Sequence, residues 1–186
     1  MLEKMIDHHD VSAVVKKIHS IYTNPNIQIL ELGCGDGINI RALLDLGFQN
    51  IRALDRDKQI VRKLQQEFQT FNGVRIDCQN ATDFSPRENY FDVIFHSLFG
   101  IFLKPEQRED LVRKIYTSLK PQGHYLFEEI VREKSDTGAK GNTYPYTMAE
   151  IDGLSSVFAH VQKKQAYRMV KGAKVGGGIV FVGSKD

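Results

Sequence analysis

Apolar positions follow two different spacings along this chain, and the two spacings alternate. Apolar residues three and four positions apart predict helices over 11–22 and 58–68. Short unbroken apolar runs predict strands at 27–32, 51–54, 74–78, 91–95 and 125–131. Helices that alternate with strands in this way are typical of a mostly parallel sheet with helices on both faces. The fold class expected from the pattern is therefore α/β.

Glycine and proline residues mark where several of these elements begin and end. Gly47 predicts the end of a helix over 38–46, because glycine is common just after the last helical turn. Pro105 predicts the start of a helix over 105–119, where a missing backbone N–H is tolerated. A turn is expected at Pro121–Gly123, directly before the fifth strand.

The pattern changes in the last quarter of the chain. Residues 138–146 are polar and rich in glycine, which predicts a loop, and Thr147–Glu150 has the spacing of a capping box that opens a helix. Two further strands are expected at 158–170 and 178–182, with too few residues between them for a helix. Strands joined so closely pair antiparallel, so an antiparallel pair is expected at the end of the sheet.

Composition and charge narrow the class of protein. The chain has 186 residues, a formal net charge of +2 and two cysteines, Cys34 and Cys78, without metal-ligand spacing. So small a charge disfavours wholesale nucleic-acid binding, and the cysteine usage is typical of a reducing compartment. No apolar run approaches the length of a membrane span or of a signal peptide. We expect a cytoplasmic protein without a bound metal.

Three glycines, Gly33, Gly35 and Gly37, directly follow the first predicted strand. In parallel sheets, ligands bind beyond the carboxyl ends of the strands, and glycine there permits positive φ and removes the Cβ that would block a ligand. The spacing G-x-G-x-G departs from the dinucleotide pattern G-x-G-x-x-G, and the phosphate-binding G-x-x-x-x-G-K-[ST] pattern is absent. A plain tight turn without a ligand is the structural alternative.

Polar residues also follow the second and third predicted strands. Asp55 ends the second strand about 20 residues after the glycines, where a carboxylate can accept hydrogen bonds from both ribose hydroxyls of a nucleoside. Asp57 is the better cap for the helix that begins at Lys58, which leaves Asp55 without an evident structural task. Asn80 and the backbone of Ala81 could read an adenine edge, and an ordinary polar loop is the alternative.

These stretches together resemble those of the class I S-adenosylmethionine-dependent methyltransferases. The resemblance covers residues 27–130 and rests on five stretches: ELGCGDG, ALD, NATDF, FDVIFHSLFGIFL and LKPQGHYLF. It implies a three-layer Rossmann-like fold, with a seven-stranded, mostly parallel sheet whose terminal strand is antiparallel. Size and the stretch YPYT followed by EI are similar to those of tellurite-resistance-type members. A single domain over 1–186 is expected, made of an N-terminal helix (1–24), a cofactor-binding core (27–130) and a substrate loop, helix and hairpin (131–186).

The resemblance also implies a set of cofactor-binding residues. In chain order these are Glu31, Gly33, Cys34, Gly35, Asp55, Arg56, Asn80 and Ala81. Glu31, Gly33 and Gly35 would lie at the methionine end. Asp55 would hold the ribose, and Arg56 would flank the adenine. Family members often carry aspartate where this chain has Asn80, whose carbonyl oxygen can still accept a hydrogen bond. The implied cofactor is S-adenosylmethionine, with S-adenosylhomocysteine as product.

The acceptor side is expected after the fourth and fifth strands. In the fourth strand, Phe91, Val93 and Phe95 should face one side, and the side chain of His96 the other. At the carboxyl end of that strand, His96 would face the cofactor's methyl group and accept a proton or orient the acceptor, or it would merely cap the next turn. The candidate substrate residues are Phe99, Tyr144 and Tyr146. The two tyrosines could close as a lid, or they could pack against the helix that follows.

The function expected is methyl transfer to a small-molecule acceptor. Methyltransferases that act on base amines carry Asn/Asp-Pro-Pro-aromatic after the fourth strand, and the sequence HSLF at 96–99 disfavours that class. A non-catalytic S-adenosylmethionine-binding module is the first alternative, and an oxidoreductase that uses a nicotinamide dinucleotide is the second. An aminopropyl transferase would need further acidic residues. The identity of the acceptor and the oligomeric state stay open.

Overall fold

Seven strands form one sheet in the computed structural model, which describes residues 12–131, 142–170 and 173–186. The strands are β1 Gln28–Leu32, β2 Asn50–Asp55, β3 Val74–Cys78, β4 Phe91–Ser97, β5 Leu119–Val131, β6 His160–Val170 and β7 Ala173–Ser184. Their order in the sheet is β3-β2-β1-β4-β5-β7-β6. Strands β1 to β5 are parallel, whereas β7 runs antiparallel to both β5 and β6. The expected antiparallel pair is confirmed, and the last strand lies inside the sheet, between β5 and β6.

Helices cover both faces of this sheet. They are α1 Ala13–Ile21, α2 Ile38–Asp45, α3 Lys58–Glu67, α4 Pro105–Ser118 and α5 Met148–Ser155. Helices α1, α2 and α3 pack on one face, where Ile18, Leu43 and Leu64 join a core that includes Val93. Helices α4 and α5 pack on the other face, with Ile115 and Ile151 in a second core. The three-layer α/β fold predicted from the sequence is confirmed.

Across the described ranges, no helix combines the length and the apolar character that crossing a bilayer requires.

Side-chain caps set two of the helix starts in the way the sequence predicts. The carboxylate of Asp57 accepts hydrogen bonds from the N–H groups of Gln59 and Ile60 at the start of α3. At the start of α5, the Thr147 hydroxyl accepts from the Glu150 N–H at 3.1 Å, and the Glu150 carboxylate accepts from the Thr147 N–H at 2.8 Å. Both caps satisfy N–H groups that a helix leaves without partners.

A bulge in β5 corrects two expectations. Phe91 pairs with Leu119 and Val93 pairs with His124, so the residues around Pro121–Gly123 bulge out of a strand that has already begun. No separate turn precedes β5. The same register shift places Phe91 in the core with Ile94, on the opposite face from Val93. The period of two residues in β4 therefore breaks between Phe91 and Val93, where its pairing with β5 shifts register.

The switch point of the sheet lies between β1 and β4. The chain adds β2 and β3 on one side of β1 and then returns to place β4 on the other side. Connections therefore diverge beyond the carboxyl ends of β1 and β4, which leaves a crevice where ligands bind in this architecture.

Parts of the expected first helix and of the loop after β5 lie outside the described residues, and the single-domain division stays a prediction.

Candidate functional site

A cleft of about 320 Å³ opens beyond the carboxyl ends of β1 to β4. It is lined by Gly33, Gly35, Leu54, Asp55, Arg56, Gln79, Asn80, Ala81, Ser97, Leu98, Phe99, Phe102 and Leu103. One wall comes from the ends of β1, β2 and β3, and the other comes from the segment that follows β4. The glycine turn, the acidic residue after β2 and the polar residues after β3 therefore meet at one site, as the sequence analysis expects.

The glycine turn is a backbone structure that ordinary residues adopt rarely. Gly33, Gly35 and Gly37 have φ values of +71°, +50° and +80°, all in the left-handed region. A Cβ on Gly37 would lie 2.7 Å from Leu64, so that glycine allows close packing on α3. A Cβ on Gly35 would have no neighbour within 4 Å, because Gly35 faces the open cleft. Gly35 therefore combines a left-handed backbone with open space beside it.

Asp55 ties the glycine turn to the end of β2. One of its carboxylate oxygens accepts a hydrogen bond from the Gly35 N–H, and the other accepts from the Asp57 N–H, both at 2.9 Å. The expectation that Asp55 has no structural task was wrong, because its carboxylate organises two backbone segments. An ionised carboxylate has about four acceptor positions, so roughly two stay available toward the cleft.

The residues after β3 close the same end of the cleft. The side-chain oxygen of Asn80 accepts a hydrogen bond from the Thr82 N–H and caps a short 3₁₀ turn, Ala81–Asp83. The Gln79 N–H donates to the Asp55 carbonyl, and its side-chain amide donates to the Asp83 carbonyl. Arg56 also lines this end. Asn80 has a local structural task while it faces the cleft.

The opposite wall is the turn from Ser97 to Leu103. Leu98 has a φ of +56°, and its N–H donates to the Glu128 carbonyl at 2.8 Å. The next residue, Phe99, places its ring directly against Gly33: a Cβ built on that glycine would lie 2.3 Å from a ring carbon. Phe99 therefore packs on the glycine turn and joins the two walls of the cleft.

A buried polar cluster holds this wall from behind. The Gly100 N–H donates to the carboxylate of Glu129, which is fully buried, and the Gly100 carbonyl accepts from Arg108 Nε at 3.0 Å. Arg108 is only 3% exposed, and it also donates to the Tyr144 carbonyl and, at 2.8 Å, to Glu150. The cluster thus connects the cleft wall with the start of α5.

His96 belongs to this cluster and does not line the cleft. Its ring is 1% exposed and stacks on Phe127 with centroids 5.2 Å apart. Nε2 lies 2.8 Å from the Tyr125 hydroxyl, and Nδ1 lies 3.0 Å from a Glu129 oxygen without the alignment of a hydrogen bond. The position expected for His96 was wrong because β4 continues to Ser97. His96 therefore lies within the strand and points into the layer between the sheet and α4.

Neither tyrosine of the expected lid lines the cleft. Tyr146 is 2% exposed, stacks on Phe127 with centroids 5.6 Å apart, and lies under the Arg108 guanidinium at 3.8 Å. Burial raises the pKa of Tyr146 well above its ordinary value. Tyr144 donates its backbone N–H to the Ile101 carbonyl at 2.6 Å. Tyr146 shares a core with Ile151 of α5, as the packing alternative expects, whereas the contacts of Tyr144 are made by its backbone.

Two of the expected cofactor-binding residues, Glu31 and Cys34, are also buried. Glu31 is 1% exposed, and one of its oxygens accepts from Asn39 Nδ2 at 2.7 Å, whereas Oε2 has no hydrogen-bond partner within the described ranges. Burial raises the pKa of Glu31 to about 8, although the Asn39 hydrogen bond opposes the rise. Burial likewise raises the pKa of the Cys34 thiol. Both side chains are buried, and neither lines the cleft.

About half of the chain matches a known protein family. Residues 29–123 match the family model described as a methyltransferase domain. The chain belongs to the class I S-adenosylmethionine-dependent methyltransferases. S-adenosylmethionine is the cofactor of this family and S-adenosylhomocysteine is its product. The family favours the methyltransferase interpretation over a nicotinamide-dependent oxidoreductase.

Individual relatives support the family and leave the acceptor open. A ribosomal protein L11 methyltransferase from Staphylococcus carnosus is 26% identical over 136 residues, which cover 70% of this chain and 40% of that protein. A carboxy-S-adenosyl-L-methionine synthase from Helicobacter pylori is 35% identical over 109 residues, which cover 57% and 44%. The chain therefore spans less than half the length of these curated relatives. TehB from Haemophilus influenzae shares the fold, with a TM-score of 0.77 at 15% identity over 95% of this chain and 63% of that one.

Several residues of this candidate site are not among those the sequence indicated. Those that line the cleft are Leu54, Gln79, Ser97, Leu98, Phe102 and Leu103. Gln79 and Ser97 could have been found, because they stand at the ends of β3 and β4. Arg108 could not, because it lies in the polar stretch Glu106–Asp110, which is typical of an exposed helix face.

Proposed function

We propose that the chain binds S-adenosylmethionine in the cleft at the switch point and transfers its methyl group to a small-molecule acceptor. The observation that carries the proposal is the meeting of Gly35, Asp55 and Asn80 around one cleft in a chain of this family. When bound, the cofactor supplies an activated methyl group, so the protein's own task is to bind, orient and exclude water.

The nucleoside end of the cofactor is assigned to β2 and β3. The Asp55 carboxylate already accepts hydrogen bonds from the Gly35 and Asp57 N–H groups. Its remaining acceptor positions would accept hydrogen bonds from the ribose hydroxyls. Arg56, Asn80 and Ala81 would contact the adenine, with Gln79 beside them. Gly33 and Gly35 would let the ligand approach their backbone, and the open space at Gly35 fits such an approach.

The buried residues receive supporting roles in this proposal. Glu31 and Cys34 would shape the turn from beneath, because their side chains are buried. His96, Tyr144 and Tyr146 would act through the wall that they support. His96 as a catalytic residue stays a prediction, and its burial favours an indirect role. Methyl transfer needs no dedicated base when the acceptor's own electron pair is aligned with the methyl group.

The wall after β4 supports a small and partly apolar acceptor. Phe102 and Leu103 line the cleft opposite the nucleoside end, and the whole cleft, which must also hold the cofactor, measures about 320 Å³. The net charge of +2 adds nothing that would attract a polyanion strongly. An acceptor carrying a nucleophilic oxygen, nitrogen, sulfur or carbon is compatible with these residues.

The first experiment measures cofactor binding by the whole chain. S-adenosylhomocysteine at about 100 times its dissociation constant should raise the free energy of unfolding by ~2.7 kcal/mol, because a ligand that binds only the folded state stabilises it. NAD(H) serves as the control ligand and should leave the melting temperature unchanged. Stabilisation by NAD(H) alone would overturn the proposal.

The second experiment separates transfer from mere binding. S-adenosylmethionine labelled in its methyl group is incubated with the protein and with separate small-molecule, protein and RNA fractions of a cell extract. We expect label in the small-molecule fraction. Label in the protein or RNA fraction would overturn the acceptor class, and binding without any transfer would support the non-catalytic module instead.

A further inference from the structure

We propose that Phe99 distinguishes the charged cofactor from its neutral product, by placing an aromatic ring beside the sulfonium of S-adenosylmethionine. The inference rests on the proposed function and deepens it, because it assigns to Phe99 a selective contact with the cofactor in place of the contact with the acceptor that the sequence suggested. The contrast is a chemical one: S-adenosylmethionine carries a positive sulfur, and S-adenosylhomocysteine carries a neutral thioether.

The position of the ring is the first observation. Phe99 lines the cleft, and its ring carbons lie so close to Gly33 that a Cβ on that glycine would be only 2.3 Å from one of them. The ring therefore stands over the glycine turn, next to the place where Gly35 leaves open space. A ligand that lies along the turn must lie beside this ring.

The chemistry of the cofactor places its sulfur on that side. The sulfur is separated from the ribose ring by one methylene group, so it cannot be far from the residue that holds the ribose hydroxyls. Asp55 is bonded to the Gly35 N–H at 2.9 Å, which puts the ribose site beside the glycine turn. Gly33 and Phe99 line the same cleft, and the proposed function assigns the adenine to Gln79, Asn80 and Ala81.

The distribution of charge gives the ring its importance. Of the described residues that line the cleft, the charged ones are Asp55 and Arg56, and both follow β2. The wall after β4 contributes Ser97, Leu98, Phe99, Phe102 and Leu103, none of which is charged. The negative face of an aromatic ring attracts cations, and a neutral thioether lacks that attraction. Phe99 can therefore favour the charged ligand where no carboxylate of this wall does so.

The ring is held in place by the residues on either side. The Leu98 N–H donates to the Glu128 carbonyl. The Gly100 N–H donates to the Glu129 carboxylate, and the Gly100 carbonyl accepts from Arg108. His96 also contacts the ring edge to face, with centroids 5.6 Å apart. A contact that is already in place when the ligand arrives loses little entropy on binding. Loss of the charge after methyl transfer would then weaken the hold on the product and favour its release.

The test is a pair of calorimetric titrations on the full chain, one with S-adenosylmethionine and one with S-adenosylhomocysteine. The quantity compared is the ratio of the two dissociation constants, product over substrate. Phe99→Leu should lower this ratio at least threefold relative to the wild type, since a cation–π contact is worth roughly 2- to 30-fold in affinity. Phe99→Met, a second non-aromatic variant of similar size, should lower it equally, and Phe99→Tyr should keep the wild-type ratio.

Phe102→Leu is the matched control, because Phe102 lines the same wall but is half exposed. Its ratio should stay within about 1.5-fold of the wild type. If Phe99→Leu and Phe99→Met weaken both ligands equally, the ring only packs against the glycine turn and the inference is overturned while the proposed function stands. If the wild type binds neither ligand, the proposed function fails as well.

Discussion

The two walls of the cleft use polar residues in opposite ways. On the nucleoside wall, Asp55 and Asn80 face the cleft, and each accepts from the backbone N–H two residues ahead in the chain. Asp55 also accepts from the Gly35 N–H, 20 residues earlier. On the wall after β4, the polar groups Arg108, Glu129 and His96 are buried behind the surface. Their side chains bond to partners 29 to 42 residues away, apart from the link between Arg108 and Gly100.

The difference suggests a division of labour between binding and support. Changes at the exposed wall should alter ligand affinity at small cost in stability. Changes in the buried cluster should alter stability first, because a buried polar group that loses its partner is costly. Four predictions follow from this contrast.

The largest effect is expected at Arg108. Arg108→Met should lower the free energy of unfolding by ~4 kcal/mol, because it leaves Glu150, Gly100 and Tyr144 without a buried donor. Urea unfolding measures the loss. Arg41→Met is the matched control, because Arg41 pairs with Glu67 at the surface and should cost less than about 1 kcal/mol. Equal losses in the two variants would contradict the division between the walls.

Glu31 is the exception to the contrast, a buried acid on the nucleoside side. Its pKa rises from 4.5 to about 8 on folding, so between these pH values the folded state holds a proton that the unfolded state has released. Its contribution to stability is therefore fully present below pH 4.5 and is lost as the pH rises through 8. Glu31→Gln keeps the Asn39 hydrogen bond without this loss, and between pH 4.5 and pH 7 it should gain ~3 kcal/mol relative to the wild type.

Glu67→Gln gives the opposite sign for comparison. Arg41 lowers the pKa of Glu67, so that contribution to stability is present above pH 4.5 and is lost as the pH falls through the folded pKa. Thermal unfolding of both variants across the pH range measures the two slopes. A Glu31→Gln variant whose stability runs parallel to that of the wild type would show that Glu31 is ionised in the folded protein.

An intermediate effect is expected at the ribose position. Asp55→Ala should weaken S-adenosylhomocysteine binding at least tenfold, or ~1.4 kcal/mol, because each lost hydrogen bond to the carboxylate is worth that much or more. Asp57→Ala removes only the helix cap, so it should cost ~1 kcal/mol of stability and leave the affinity within about twofold. Calorimetry and urea unfolding measure both quantities. Unchanged affinity in Asp55→Ala would mean that Asp55 serves the turn alone.

The smallest effect separates ligand approach from turn geometry. Gly35 and Gly47 both have positive φ, and neither would bring a Cβ within 4 Å of another group. Alanine at either position should therefore cost a similar ~1 kcal/mol of backbone strain. Only Gly35→Ala should also weaken S-adenosylhomocysteine, by about fivefold, because only Gly35 lines the cleft. Equal affinities in the two variants would leave the tight turn as the sole task of Gly35.

The local pattern of the chain predicted the nucleoside wall well. The strand β3 has the predicted bounds, and the caps at Asp57 and at Thr147–Glu150 form as expected. The cofactor residues Gly33, Gly35, Asp55, Arg56, Asn80 and Ala81 all line one cleft, although their contact with a ligand stays a prediction. Strand ends and turn residues depend on neighbours a few positions away, and such neighbours can be seen in a sequence.

The sequence by itself determined the α/β class, the order of strands and helices, and the edge of the sheet that carries the site. Only the tertiary structure decided which polar residues face the cleft. From the sequence alone, His96 and Tyr146 were expected at the site. In the structure Phe127 stacks on both rings, the Tyr125 hydroxyl contacts His96, and the Arg108 guanidinium lies over Tyr146. The polar sequence around Arg108 is typical of a surface helix, yet the start of α5 covers this residue. Burial depends on packing between elements that are distant in the chain, and no local spacing along the sequence records which segments pack together.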